Sequence, residues 1–548
     1  MGAQPFMTSN DLIASVKRKI SFPVSQNTFT NLDILAFANE EMFIAQVPSV
    51  LLYHQEYFTT YKRVPLQTNL SRYPIPNRAT GMKLRDLFWM DQNGNLFEMT
   101  RIDEHDRAFF QRNVGANQAV HKFFIQGNDV ILTPGVVDSP TGSLIFVFFL
   151  RPNQLVKNDR AAIVNDFVQT ITINSSLINP LDIINIGVVE NVYNQVGNNL
   201  IIQTSLTSIP IGNPGPTPFT AVSSLGGTIT SIVQYSGSNT VTEITTSAPH
   251  QLSTNQTVVI SGSNSNPVAD GTYVVQVVSP TSFIIPLSIS TAGTSGAFTS
   301  PNQFLINASS AITAANLAAA INITDINANV SAIAAGNVIT ASFDNIQTTF
   351  QSLNLTGFVV PTSTLGINFQ TLPTSYTDQE TNLTDTLFVN GALIDLLQTL
   401  PGHRTYVYDV KIPNNGISGT TVTFPVSSLL VPTETVNNGA GPPGTPISST
   451  VQLVIANIQV GDYMCVANEA IIPQIPPDLH NGLAERTAAR ILAALGDQQG
   501  LQASMTKIQE IETRQGNILD NRSEGTPIKV VNRHSQLRYG KMGTSRRG

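Results

Sequence analysis

The sequence predicts an α+β multidomain protein, with a helical bundle built from both chain ends, a β-rich domain, and a large mainly-β insertion. Three observations predict it. Helical periodicity occupies the first fifty residues and returns after Ile475, with apolar residues three and four apart. Between those ends, short apolar runs are broken by Gly, Pro and Asn, the pattern of strands and tight turns. Residues 161–403 contain no Lys or Arg, although the chain's own frequency of 29 in 548 would place about 13 there. A composition break of that size marks a region of separate origin.

The elements follow in order. TSND (Thr8–Asp11) has the form of a capping box, and Leu12, Ile13, Val16 and Ile20 follow at helical spacing. TNLD (Thr30–Asp33) starts a second helix, with Leu32, Leu35, Ala36, Asn39, Met42, Phe43 and Val47 on one face. Pro48 ends or kinks it. In FWMDQNGNLFEM (Phe88–Met99), Asn93-Gly94 between apolar runs signals a hairpin. FFIQGNDVILTPG (Phe123–Gly135) reads as another hairpin. The cation-free region is rich in Ser, Thr, Asn and β-branched residues, so it reads as short strands. Its helical island is SSAITAANLAAAIN (Ser309–Asn322), followed by the hairpin-like AGNVITASF (Ala335–Phe343). Near the C-terminus, Pro476, Pro477 and Asp478 open a helix. Leu479, Leu483, Thr487, Ile491 and Leu495 form its buried stripe, and Gly496 closes it. A more polar helix spans about Leu501–Leu519.

These elements divide the chain into a composite base and what it carries. Residues 1–180 form the first part of the base, and 382–524 form the second. Residues 181–381 are the insertion, with a smaller β-domain nested at about 225–300. Residues 525–548 are an extended basic tail holding Lys529, Arg533, Arg538, Lys541, Arg546 and Arg547 and no acid. The whole chain is at −7, so removing those six cations leaves −13 on residues 1–524. The cation-free stretch is unsuited to nucleic acid, because neutralising phosphates needs cations.

Catalytic patterns are missing. No phosphate-binding GxxxxGK[ST] loop, HExxH zinc helix, GxSxG elbow or paired CxxC occurs. The seven histidines are scattered, without metal-ligand spacing on any one element. RIDEHD (Arg101–Asp106) gathers three acids and a histidine and could hold a cation or a general base, but a solvated loop explains it better. The one cysteine, Cys465, has apolar neighbours and reads as a buried structural thiol. No metal and no cofactor is expected, and the chain is not read as an enzyme. The most apolar run, Leu144–Leu150, is far too short to span a bilayer, and the N-terminus lacks a secretory apolar region.

The flanks resemble the head-to-tail adaptor (connector, or head completion) proteins of tailed bacteriophages. The resemblance rests on an ordered series: NDLIASVKRKI, FTNLDILAFANEEM, SRYPIPNRATGMKLRDLFWMDQNGNL, FFIQGNDVILTPG, LRPNQLV, VGDYMCVANEAIIPQIPPDLHNGLAERTAARILAALGD and IKVVNRHSQLR. It covers about 1–180 and 382–548. The middle is similar to β-modules of phage tail and baseplate proteins, at Thr242–Leu287 and Phe304–Phe343. TPFTAVS (Thr217–Ser223) reads like the severed leading strand of the second module, with the first nested inside it.

The resemblance implies a structural virion protein at the head-tail junction, made in the host cytoplasm. Such adaptors form a homo-oligomeric ring, usually of twelve subunits, beneath the portal protein. The ring extends the DNA channel and docks the downstream neck or tail protein. Genome DNA passes through without sequence-specific binding. The segment reaching the portal carries over onto Ile528, Lys529, Val530, Val531, Asn532, Arg533, Leu537 and Arg538. Its apolar residues can pack or add a strand, and its cations can pair with portal acids. The insertion would face a fibre or collar protein. The alternative is a receptor-binding or fibre-attachment protein of the tail, built around the β-modules. A carbohydrate hydrolase would need two carboxylates about 5–9.5 Å apart, and Asp103 and Glu104 do not supply them from one loop.

Overall fold

The computed structural model describes residues 7–519, apart from 21–27, 54, 68–69, 91–95, 107–121, 134–141, 189, 197–198, 206–216, 237, 239, 324–329, 347, 353–355, 361–363, 380, 400–404 and 436–449. Among the described residues there are thirty-seven strands in eight sheets and six α-helices. The expected α+β class, a helical bundle with a β insertion, is therefore overturned: the described residues are mostly β-strand, in many sheets. Helices occupy the two ends and Ser310–Ile323, whereas the alternating runs of the supposed base already pair into sheets. Nor is the middle looped out as a separate unit. A single strand, Ala162–Ile173, pairs with Tyr463 and Met464 near its start, with Thr364–Phe369 through its middle, and with Val338–Phe343 towards its end.

The helices near the two ends of the described chain form one cap. Helix α1 (Ser9–Lys19) and helix α2 (Asn31–Glu41) each start with a complete capping box, Thr8 with Asp11 and Thr30 with Asp33. Each box satisfies two orphan donors reciprocally. Leu12, Ile13, Val16, Ile34, Leu35 and Ala38 pack with Leu483, Ala484, Ala488 and Ile491 of helix α5 (His480–Leu495). The buried face of α2 differs from the expected one: Ile34 and Ala38 are inside, and Ala36 is exposed. A π turn, Met42–Gln46, precedes Pro48 and helix α3 (Val47–Tyr53). The wide turn adds a residue and shifts the register of everything after it. Leu479, just before α5, and Leu483, Thr487 and Ile491 within it are buried as expected, but Leu495 is exposed. Gly496 ends α5 in the left-handed conformation, φ +75°. The last helix of the described chain, Gln498–Leu519, lies against α5 through Leu501, Ser504, Ile508 and Ile511.

The N-terminal β unit has two four-stranded sheets around Tyr73, Leu87, Phe123, Val130, Leu144, Phe146 and Phe148. Strands Lys122–Gln126 and Asp129–Thr133 form the expected hairpin. Ala79–Met90 pairs antiparallel with Leu96–Glu98, while Asn93-Gly94 itself lies outside the described residues. The central unit is a ten-stranded sheet over a core of Val164, Phe167, Ile367, Phe369, Ile394, Leu396, Val422, Phe424 and Met464.

Beyond it, helix α4 (Ser310–Ile323) packs Leu317, Ala318 and Ile321 on Ile171, Ile184, Phe219 and Phe304. Strands Thr217–Val222 and Gln303–Leu305 lie parallel and adjacent, with Ala221 opposite Phe304. The chain between them forms a seven-stranded sheet with its own core of Ile229, Ile232, Ile244, Val258, Phe283 and Phe298. That sheet nearly closes on itself, because Gly271–Val274 and Gln276–Ser279 join at Val275 and pair to its two ends. No described helix is long and apolar enough to cross a membrane.

Candidate functional site

The residues with the most unusual surroundings form a buried polar hub where the N-terminal β unit meets the central sheet. Arg78 precedes strand Ala79–Met90, and Asp395 lies within strand Leu393–Leu397. Arg78 Nη2 donates to Asp395 Oδ2 at 2.7 Å and to Asn153 Oδ1 at 2.6 Å, while Nη1 donates to Asn468 Oδ1. The Asp395 side chain is fully buried. It also accepts from Asn153 Nδ2 at 2.7 Å, from the Asn468 amide at 3.1 Å and from the Asp409 amide at 2.9 Å. Asn153 Nδ2 reaches the Glu469 carbonyl at 2.9 Å, and its amide donates to Gln474 Oε1 at 2.6 Å. The guanidinium carbon stands 5.7 Å from the centroid of the Tyr408 ring.

A buried carboxylate needs both a counter-charge and several donors to persist. Segments more than three hundred residues apart supply them here. Two backbones are bent to do so: Asp409 and Asn468 have φ of +55° and +72°. Burial pushes the Asp409 carboxyl up, Arg78 opposes the rise, and Asp395 adds to it. Burial likewise raises the Tyr408 hydroxyl. The hub offers no free nucleophile, and its chemistry is that of a fixed joint.

A second polar lattice ties the chain ends together. Glu485 on α5 accepts from Lys19 Nζ at 2.5 Å and from Ser504 Oγ at 3.0 Å. Burial alone would raise its carboxyl, but Lys19 and Ser504 hold it below the ordinary range. Arg490 Nε donates to Glu41 Oε1 at 2.6 Å and Nη1 to Glu40 Oε2 at 2.9 Å. Arg486 bridges Glu41 of α2 and Glu512 of the last helix.

The expected portal-binding residues, Ile528, Lys529, Val530, Val531, Asn532, Arg533, Leu537 and Arg538, lie outside the described residues. Arg101–Asp106 is a strand end followed by an exposed turn, with Glu104 accepting from Gln126 Nε2 at 3.3 Å. Among the described residues no group of three or more His, Cys, Asp and Glu side chains could hold a metal. Cys465 is buried in strand Tyr463–Val466, and burial raises its thiol. His250 and His480 are buried too, and burial lowers both. Each places Nε2 near two backbone carbonyls, Ser279 and Ser282 for His250, and Pro473 and Ile475 for His480. The hub went unread in the sequence, although one signal was there: Asp395 is a lone acid in the apolar run LIDLL.

No protein-family model and no curated protein matches the chain.

Proposed function

We propose that this protein is a structural component of the neck of a tailed bacteriophage, forming a ring beneath the portal that extends the DNA channel and docks the tail or the next neck protein. The observation that carries the reading is the closure of the chain ends on one another through Glu41 and Glu485. The cationic segment therefore continues from a helix locked to the N-terminal ones. An arm of 24 residues anchored there reaches up to ~80 Å when extended, enough to lie on a neighbouring molecule. Ile528, Val530, Val531 and Leu537 would pack or add a strand, with Lys529, Arg533 and Arg538 pairing with portal acids. The acidic remainder of the chain would repel phosphates and let DNA slide. A receptor-binding or fibre-attachment role is the second reading, and the mainly-β architecture favours it.

The test is binding to the matching portal ring by the full-length protein and by a version ending at Glu524. Binding and ring closure by the full-length protein alone support the proposal. Equal binding by both removes the portal role of the tail. Binding by neither brings the fibre-attachment role to the front.

A further inference from the structure

The sheet built on Ala162–Ile173 has one covered face and one bare one. Phe167, Ile171 and Ile173 point into the cores. The alternating residues point the other way, since strand side chains switch faces at each step. On that side Thr170 lies opposite Thr340, Thr340 opposite Ile333, and Thr172 opposite Val359. Ile333 is 73% exposed and Val359 56%. None of these five side chains is charged. A solvated antiparallel sheet face accounts for the threonines, but not for two large β-branched groups left open to water.

At one end of this face stand Asp166, four residues before Thr170 on the same strand, and Asp344, four after Thr340. Asp166 Oδ2 accepts from Asn165 Nδ2 at 3.0 Å, whereas Oδ1 is buried and accepts no hydrogen bond. Burial raises the Asp166 carboxyl, hydrogen bonds from Asn368 and Asn165 oppose the rise, and Asp344 adds to it. The missing element is a cation. Residues 161–403 carry eleven acids and no Lys or Arg, so a counter-charge for Asp166 has to come from outside that stretch: residues 1–160 carry sixteen cations and fourteen acids, and residues 404–548 thirteen cations and eleven acids. Two acidic copies of this chain repel at most orientations. They attract where an anion short of a counter-charge meets a cation-bearing surface.

We propose that this bare face is a contact between copies, taking from a second copy of this chain a surface outside residues 161–403 whose Lys or Arg pairs with Asp166 and Asp344 while its apolar groups cover Ile333 and Val359. The contact joins two different surfaces, so it is head-to-tail and can close a ring. In that respect it rests on the ring proposed above.

Sedimentation of the full-length protein, alone and on the portal ring, tests it with two variants. Ile333→Asp/Val359→Asp should weaken self-association at least tenfold with an unchanged melting temperature, both positions being exposed. Asp166→Asn should weaken association while leaving the monomer's melting temperature equal or higher, because it removes a charge that is desolvated before contact. Association of both variants with wild-type affinity overturns the inference. If they do so while wild-type rings form on the portal, the inference fails and the ring stands. If the wild type never associates, with or without the portal, both fail.

Discussion

Replacing Arg78 with Met removes the only guanidinium from the buried hub and leaves the Asp395 carboxylate in place. Asp395 then keeps three donors, Asn153 Nδ2 and the amides of Asn468 and Asp409, at 2.7, 3.1 and 2.9 Å. Breaking a buried ion pair from one side costs about 3–5 kcal/mol, and three surviving donors place this case near the lower end, about 3 kcal/mol. If the charge is the source, neutralising Asp395 first should shrink the cost. In an Asp395→Asn background, Arg78→Met should cost about 2 kcal/mol less than in the wild type, a coupling within the range for residues in one network. The chain has a single tryptophan, Trp89, on the strand that begins just after Arg78. Its fluorescence in urea therefore follows the unit that the hub holds, which matters because a multidomain chain need not unfold in one step. An equal cost of Arg78→Met in both backgrounds would refute the charge-pair account.

Four further outcomes follow from the same geometry. Asp409→Asn should raise the melting temperature at neutral pH. The folded Asp409 carboxyl is raised above 3.8, so its favourable contribution exists below that value and is lost as pH rises through the folded one; the gain should vanish in melts taken in acid. His480 is lowered from 6.5 by burial, so the unfolded chain takes the proton first. Stability should fall by at most ~1.4 kcal/mol per pH unit below that value, and His480→Gln should flatten the trend in urea midpoints. Thr30→Ala deletes one complete capping box and should cost about 1 kcal/mol by thermal denaturation. Gly142→Ala should destabilise the N-terminal β unit, as read by Trp89, because φ is +110° and a Cβ would overlap the Met90 carbonyl.

What could be read from the sequence was local. Thr8 and Thr30 announce their helices because a capping box is closed within four residues. The stripe from Leu479 to Ile491 and the stop at Gly496 are legible for the same reason. The face of α2 was misjudged because its apolar string is nearly continuous: Ile34 and Ala38 share the buried side with Leu35, Asn39 and Met42, and the same helical spacing can be drawn with Leu32 and Ala36 inside. The fold class was misjudged because pairing is not local. Nothing within Ala162–Ile173 says that its partners begin at 338, 364 and 463. The hub is hidden for the same reason: LIDLL shows an acid out of place, but its counter-ion lies 317 residues away. The eight residues expected to reach a portal fall outside the described part of the chain.

The scarcity of charge gains a meaning once the pairs are placed. Only 12% of the residues are charged, yet cations are drawn to the junctions between units. Arg78 joins the N-terminal β unit to the central sheet. Lys157 holds Asp378 at 2.9 Å. Arg160 holds Glu469 and Asp385, both at 2.6 Å, and its guanidinium carbon stands 5.2 Å from the centroid of the Tyr376 ring. Lys19, Arg486 and Arg490 join the helices. Arg160 is also the last cation before the gap that runs to Arg404. Past that point, Lys and Arg of the segment itself cannot make the joints, and continuous strands do it instead: Ala162–Ile173 runs from one core into the next, and Thr217–Val222 lies beside Gln303–Leu305. Partly exposed ion pairs weaken with salt, whereas strand pairing and apolar cores do not. Molar salt should therefore loosen the helical cap, which is held through Arg490 and Arg486 at the surface, before it affects residues 217–305. Amide hydrogen exchange at low and high salt would resolve the two, and equal loss of protection in both regions would show that the cap does not depend on its ion pairs.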